Sequence, residues 1–379
     1  MQQQEGANVE EADMNEKMRN EIEQLIQKEV ARAVFQERLR VQREKQRQEA
    51  LVREQKKQYS RLGFCFTAFF GITLAVQVGA VGIFTLFAPE LVKTLQQTTW
   101  FFALLSAAPM YLVAFPAVMA LLVLIKPVPP LGGDCFHTQD LVLLGVMGMG
   151  VGFGGNILSQ VLDFFLSNGS AESAAEEVLM NSNMLLDLAI SVFAAPVVEE
   201  LLFRKCFIDR IGGYGERTAV ILSGLLFGLA HGNIQQFFYA FGLGLIWAYV
   251  YVRTRNIGYT IAFHMLFNLI GGIFAMSVYQ GMMGNEDPFS IVGRVKFFTG
   301  IDLTAVWQIL CSHLSILYFS MNIVCMAGGI VILICKRRKI HFRQGLREIP
   351  DGRIFSAAVL NPGMLAFFAF CAFNFWLTT

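Results

Sequence analysis

The chain has 379 residues, 55% hydrophobic and 16% charged, with a mean hydropathy of +0.50. A water-soluble domain carries roughly a quarter charged residues, so a soluble fold is excluded for most of the length. The net charge is only +1, and acidic and basic residues are mixed where they are dense, which argues against a nucleic-acid partner.

Residues 1–60 form a segment apart. From about Asp13 to Tyr59 the sequence is rich in Glu, Gln, Lys and Arg without Pro or Gly, a composition that favours helix with support from charge pairs three and four residues apart. Met18, Ile22, Leu25 and Ile26 make a short apolar stripe whose heptad pattern fails soon after. The segment reads as a cytoplasmic charged helix leading into the membrane, with docking of a protein partner as the other reading.

Residues 61–379 read as a transmembrane domain. About 20 helical residues cross the apolar core of a bilayer, and apolar runs occupy 62–87, 99–125, 140–166, 183–202, 218–232, 235–252, 258–279, 312–335 and 359–379. The expected fold is all-α, a polytopic integral membrane helical bundle of about eight to nine transmembrane helices. The runs 218–232 and 235–252 are short and separated by Gly232, Asn233 and Ile234, which suggests a tight hairpin or a re-entrant segment. The stretch Leu303 to Cys335 is long for one crossing, and its first part is expected to lie along the interface.

Lys and Arg accumulate on the cytoplasmic side of membrane proteins. With the N-terminus inside, nine spans place all of the thirty basic residues inside except Lys93, Arg294 and Lys296. The acidic 167–182 loop, with Glu172, Glu176 and Glu177, then falls outside. Seven cysteines, without a CxxC pair, read as small buried apolar residues.

The chemistry-bearing residues sit in three successive apolar segments. Glu199 and Glu200 end the run LLDLAISVFAAPVVEELLF, and ionisable groups at membrane depth are costly and usually functional. Consecutive helical residues point about 100° apart, so the two carboxylates have different surroundings. Glu200 precedes Arg204 by four residues, the favourable order for an ion pair. Pro196 cannot donate a backbone hydrogen bond and can kink the helix. His231 ends ILSGLLFGLAH, with Phe227 one turn earlier, and His264 and Asn268 share a face of YTIAFHMLFNLIGG. Each element has a structural reading as well: an interfacial ion pair, a packed histidine, a hydrogen bond between helices. Together, carboxylate, imidazole and amide can activate a water and stabilise an oxyanion. Asn156, Gln160, Asp163 and Asp187 are the competing polar residues within the spans.

The three motifs, EELLFR from Glu199 to Arg204, FGLAH from Phe227 to His231 and HMLFN from His264 to Asn268, resemble in this order the EExxxR, FxxxH and HxxxN signature of the CAAX protease and bacteriocin-processing (CPBP, Abi) family, relatives of the type II CAAX prenyl endopeptidase. The resemblance covers roughly 183–272, within a catalytic core of about 183–280. It implies a membrane-embedded endopeptidase whose site opens toward the cytoplasm. By motif, Glu199 would be the base that activates water, His231 would help hold that water, and His264 and Asn268 would stabilise the tetrahedral oxyanion. Glu200, Arg204 and Phe227 would be supporting residues. No cofactor is required by this scheme. A divalent metal such as zinc stays open, because two His and a Glu could form a zinc site although HExxH is absent. The flanking sequence resembles bacterial members, which implies the bacterial plasma membrane and, as substrate, a peptide or small membrane protein in peptide maturation, bacteriocin processing or self-immunity.

Two other classes compete. A non-catalytic membrane scaffold or regulator could use the same fold, with the N-terminal helix as its dock. A transporter would call for internal repeats, and none is visible.

Overall fold

A computed structural model describes residues 2–96, 98, 100–166, 184–282 and 303–378. These residues are helical with no strand among them, and the chain is an integral membrane protein of all-α class. The acidic 167–182 loop, Arg294 and Lys296 lie outside the described residues.

The helices are α1 (Gln2–Phe87), α2 (Pro89–Gln96), α3 (Phe101–Ala108), α4 (Phe115–Val123), α5 (Thr138–Leu166), α6 (Met184–Asp187), α7 (Ala195–Glu200), α8 (Phe207–Ile211), α9 (Glu216–Ala230), α10 (Ile234–Thr254), α11 (Ile257–Asn268), α12 (Ala275–Met282), α13 (Thr304–Lys336), α14 (Asp351–Ala358) and α15 (Pro362–Thr378). Wider π-helical turns join four pairs without breaking the helix: Pro109–Ala114 between α3 and α4, Leu188–Ala194 between α6 and α7, Leu201–Cys206 between α7 and α8, and Leu269–Phe274 between α11 and α12.

Packing divides the chain into two compact units, Met1–Glu54 and Gln55–Thr379. The first is an exposed stretch of α1 carrying ion pairs one turn apart, such as Glu29–Arg32 at 2.7 Å and Glu37–Arg40 at 3.4 Å. Such exposed pairs contribute only a few tenths of a kcal/mol each, roughly. Helix α1 is longer than the expected 13–59 segment, because nothing from Asp13 to Arg61 can break it.

Among the described residues, six helices are long and apolar enough to cross a membrane, or seven if the bent pair α14–α15 is one span, against the eight to nine expected. The run 183–202 is apolar but carries Asp187, Glu199 and Glu200, and α9 has 15 residues, short of the roughly 20 needed. The run from Leu303 is not divided as expected: α13 is one helix of 33 residues, having no Pro, and no Gly before Gly328. The last apolar run does not start at 359 as one span. Helix α14 stops before Pro362, which opens α15 after a 63° bend, and Asn361 Oδ1 accepts the Met364 amide at 3.0 Å.

Half of the apolar window of α10 is buried, against 11–28% for the other five spans, so α10 is the central helix. It forms a tight hairpin with α9. Gly232 takes φ +69° at the turn, and Asn233 caps α10 by accepting the Gln236 amide at 2.9 Å. Gly224 and Gly244 let the two backbones approach closely: a Cβ on Gly244 would lie 2.9 Å from the Gly224 Cα.

On the other side of the core, Tyr59, Leu62, Phe66 and Phe69 form one buried face of α1. The Phe66 ring lies 5.1 Å from Phe203, 5.5 Å from Phe207 and 5.7 Å from Phe367. Here α1 crosses α15 at backbone contact, where a Cβ on Gly363 would fall 1.8 Å from the Ser60 carbonyl oxygen. Small residues permit such crossings in membranes. Gly363→Val is therefore expected to separate the two helices and lower the thermal unfolding temperature in detergent, whereas Gly79→Val, which meets nothing within 4 Å, should leave it unchanged. Equal unfolding temperatures for both variants would refute the close crossing.

The polar connections gather on one face. Gln55 donates to the Arg347 carbonyl at 2.5 Å, and Gln58 to those of Lys126 at 2.7 Å and Arg210 at 3.1 Å. Arg253 pairs with Asp134 and with Glu216, the latter at 3.5 Å, and the Arg343 amide donates to Glu216 at 2.9 Å. The basic segments around 126, 210, 253 and 343, assigned to a single side by charge, are thus in mutual contact. All seven cysteines are free, and Cys65, Cys206, Cys311 and Cys371 are buried. Cys135 and Cys335 are exposed, unlike the expectation of general burial.

Candidate active site

The site is built on the continuous helical run of α6, α7 and α8, whose π turns flank the glutamates. A π turn holds more residues than an α turn and often marks a functional position. Pro196, the second residue of α7, lacks the N–H that would continue a regular ladder. Between these irregular turns the two carboxylates face different surroundings. The Glu200 side chain is 0% exposed and that of Glu199 24%.

Glu200 is engaged through one oxygen, while its buried Oε2 has no hydrogen-bond partner among the described residues. Its Oε1 lies 3.1 Å from Arg204 Nη1, one helical turn away, and 3.0 Å from His264 Nδ1. Arg204 is itself 0% exposed. Its guanidinium carbon stands 4.4 Å from the centre of the Phe227 ring and 5.4 Å from that of Trp247, and Nη2 donates to the Gly244 carbonyl at 3.4 Å. Cation and rings together replace part of the lost hydration.

His264 is held on three sides. Glu200 takes Nδ1, the Trp247 ring stacks on it at 4.4 Å, and the Phe227 ring meets it edge-on at 5.6 Å. With the Nδ1 proton donated to Glu200, Nε2 faces Glu199 Oε2 at 3.8 Å. That gap is too long for a hydrogen bond and of the kind a water bridges.

His231 ends α9. Its Nδ1 lies 2.8 Å from the Phe227 carbonyl, which assigns the proton to Nδ1 and leaves Nε2 as the acceptor in the neutral ring. The ring meets Phe227 edge-on at 5.0 Å and is within electrostatic reach of Glu199, His264 and Arg204. Asn268 does not join the carboxylates. Its Nδ2 donates to the Ser191 carbonyl at 2.8 Å, which fixes the amide and leaves a second N–H.

The structure thus brings Glu199, Glu200, Arg204, Phe227, His231 and His264 together, and anchors Asn268 to the helix that carries the glutamates. Among the described residues, no three His, Cys, Asp or Glu side chains are grouped to hold a metal ion. Glu200 is engaged by Arg204 and by His264 Nδ1, which leaves Glu199 and the Nε2 atoms of His231 and His264 as the remaining donors of the cluster. Three of the four competing polar residues are engaged with other partners, and Asp187 is buried on the same helical run as the glutamates. Gln160 bonds Asn156 at 3.3 Å, and Gln235 bonds Asp163 at 2.9 Å. Trp247 and Ser191 are part of the site without any signal in the sequence, because one acts through ring stacking and the other through its backbone. Tyr111, in the π turn after α3, lies within electrostatic reach of Glu199 and likewise carries no motif.

Residues 181–270 match the family model described as Type II CAAX prenyl endopeptidase Rce1-like, which bears out the resemblance carried by the three motifs. Over 87 residues the chain is 29% identical to the Bacillus subtilis (strain 168) protein named "Putative membrane peptidase YdiL", covering 22% of this chain and 34% of that protein. The chain therefore spans about a third of the length of the curated relative it matches. No solved structure matches.

Proposed function

We propose that the chain is a membrane-embedded endopeptidase in which Glu199 activates the hydrolytic water. The division between the two adjacent glutamates carries this reading: Glu200 is sealed against Arg204 and His264, while Glu199 is partly exposed with its Oε2 3.8 Å from His264 Nε2. A general base must reach its proton directly or through one water. Glu199 takes a proton as the water oxygen bonds to the peptide carbonyl carbon. It returns that proton to the amine as the C–N bond breaks.

His231 Nε2 accepts a hydrogen bond from the water and aims it. His264 Nε2 donates to the oxyanion. The free N–H of Asn268 is the other donor to the oxyanion. Preorganised donors of this kind are worth more in a water-poor site than in solution.

The family of the matched region supports a peptide or small membrane-protein substrate in a bacterial plasma membrane, in peptide maturation, bacteriocin processing or self-immunity. The positive-inside rule supports a cytoplasmic side for the gathered basic face and for the N-terminus. The deciding experiment compares membrane peptides from cells carrying the wild-type protein with those carrying Glu199→Gln. Cleaved termini should be present in the first and missing in the second. A chelator added to the purified protein should leave turnover unchanged. If zinc restores an activity that chelation has removed, the histidines are metal ligands and the oxyanion role of His264 is wrong.

A further inference from the structure

We infer that Pro196 is a positioning residue for Asn268, acting through the Ser191 carbonyl. The inference deepens the peptidase reading and rests on it for its catalytic consequence. In the π turn Leu188–Ala194 the bonds run from residue i to i+5, and the Ala195 amide donates to the Ile190 carbonyl. The next carbonyl in that ladder, Ser191, should receive the amide of residue 196. Residue 196 is proline and has no N–H. Ala195, the partner in an α ladder, is already spent on Ile190. The Ser191 oxygen is left without a backbone donor inside a membrane helix, where an unsatisfied carbonyl is costly.

Asn268 supplies the missing donor from α11, with Nδ2 at 2.8 Å from Ser191 O. Only the NH₂ end of the amide can meet a carbonyl, so this contact sets which way the amide faces. The same helical run that carries Glu199 therefore sets the orientation of Asn268. A proline three residues before the base thus aligns a residue 72 positions further along (268 − 196 = 72).

Pro196→Ala returns an N–H to position 196. That N–H can bond Ser191 and release Asn268. The test uses the full-length protein labelled with ¹⁵N-asparagine in detergent micelles, with the Asn268 side-chain signal assigned by its loss in Asn268→Ala. In Pro196→Ala that signal should shift and its amide protons should exchange faster with water. Catalytically, kcat should fall roughly 10- to 10²-fold, the scale of a misplaced group, with KM nearly unchanged. Asn268→Ala should then cost less in the Pro196→Ala background than in wild type, since coupled residues are not additive. Pro196→Gly, which also restores the N–H, serves if the alanine variant folds poorly. An unmoved Asn268 signal, or independent effects of the two substitutions, overturns the inference. If Glu199→Gln leaves cleavage intact, the peptidase reading falls instead, and the Asn268 signal still decides whether Pro196 controls the amide.

Discussion

Glu199→Gln should reduce peptide hydrolysis by about 10²–10⁴-fold, the range for removing a general base, without loss of protein from the membrane. The glutamine keeps the shape and the hydrogen-bonding reach of the glutamate but cannot accept the proton of water. Folding should tolerate the change, because the Glu199 side chain is 24% exposed and stands 3.8 Å from His264, beyond hydrogen-bond distance. The measurement is the initial rate of a peptide substrate identified from membrane peptides, with abundance read by immunoblot. A rate equal to wild type would make the carboxylate structural, and a scaffold using the same fold would become the better description.

Arg204→Leu should do the opposite, harming the fold first. The substitution leaves Glu200 charged, 0% exposed and without its cation. Breaking a buried pair by removing one partner costs about 3–5 kcal/mol, a large share of the roughly 5–15 kcal/mol that holds a domain together. The loss should appear as a lower unfolding temperature in detergent and as reduced abundance. Replacing both partners with apolar residues, Glu200→Leu with Arg204→Met, should recover much of that stability, since apolar packing can substitute for a buried pair. Activity should not return, because His264 would lose the acceptor that holds Nδ1 at 3.0 Å. A single Arg204→Leu variant as stable as wild type would show that the pair contributes little to the fold.

The pairing of Glu200 with Arg204 was legible because four-residue spacing is a local property of any helix, and the same geometry separated Glu199 from its neighbour. Spacing also put His264 and Asn268 on one face. It could not say that one would bond a carboxylate and the other a backbone carbonyl, since those partners belong to another helical run. Trp247 escaped for a similar reason: its stacking on His264 depends on how α10 crosses α11, and an isolated tryptophan in an apolar helix signals only burial. Among the described residues, neither α9 nor the helical run from Met184 is long and apolar enough by itself to cross a membrane. Apolar runs record shelter from water, whether lipid or protein gives it. The break before α15 was readable from Pro362, but hydropathy alone ran across it.

The close crossing at Gly363 has a consequence for the order in which the molecule is made. Gln55 bonds Arg347 across 292 residues, and the Gly363 amide donates to Ser60 across 303. The Phe66 ring packs on Phe203, Phe207 and Phe367, and the last of these is made about 160 residues after the other two. Contacts between such distant parts of a chain form slowly. Helix α1 is thus sealed by a helix made about three hundred residues after it. Throughout that interval Phe203, one residue before the buried Arg204, is left with an open flank. The charged interior of the site must wait, half-built, for the chain to close behind it.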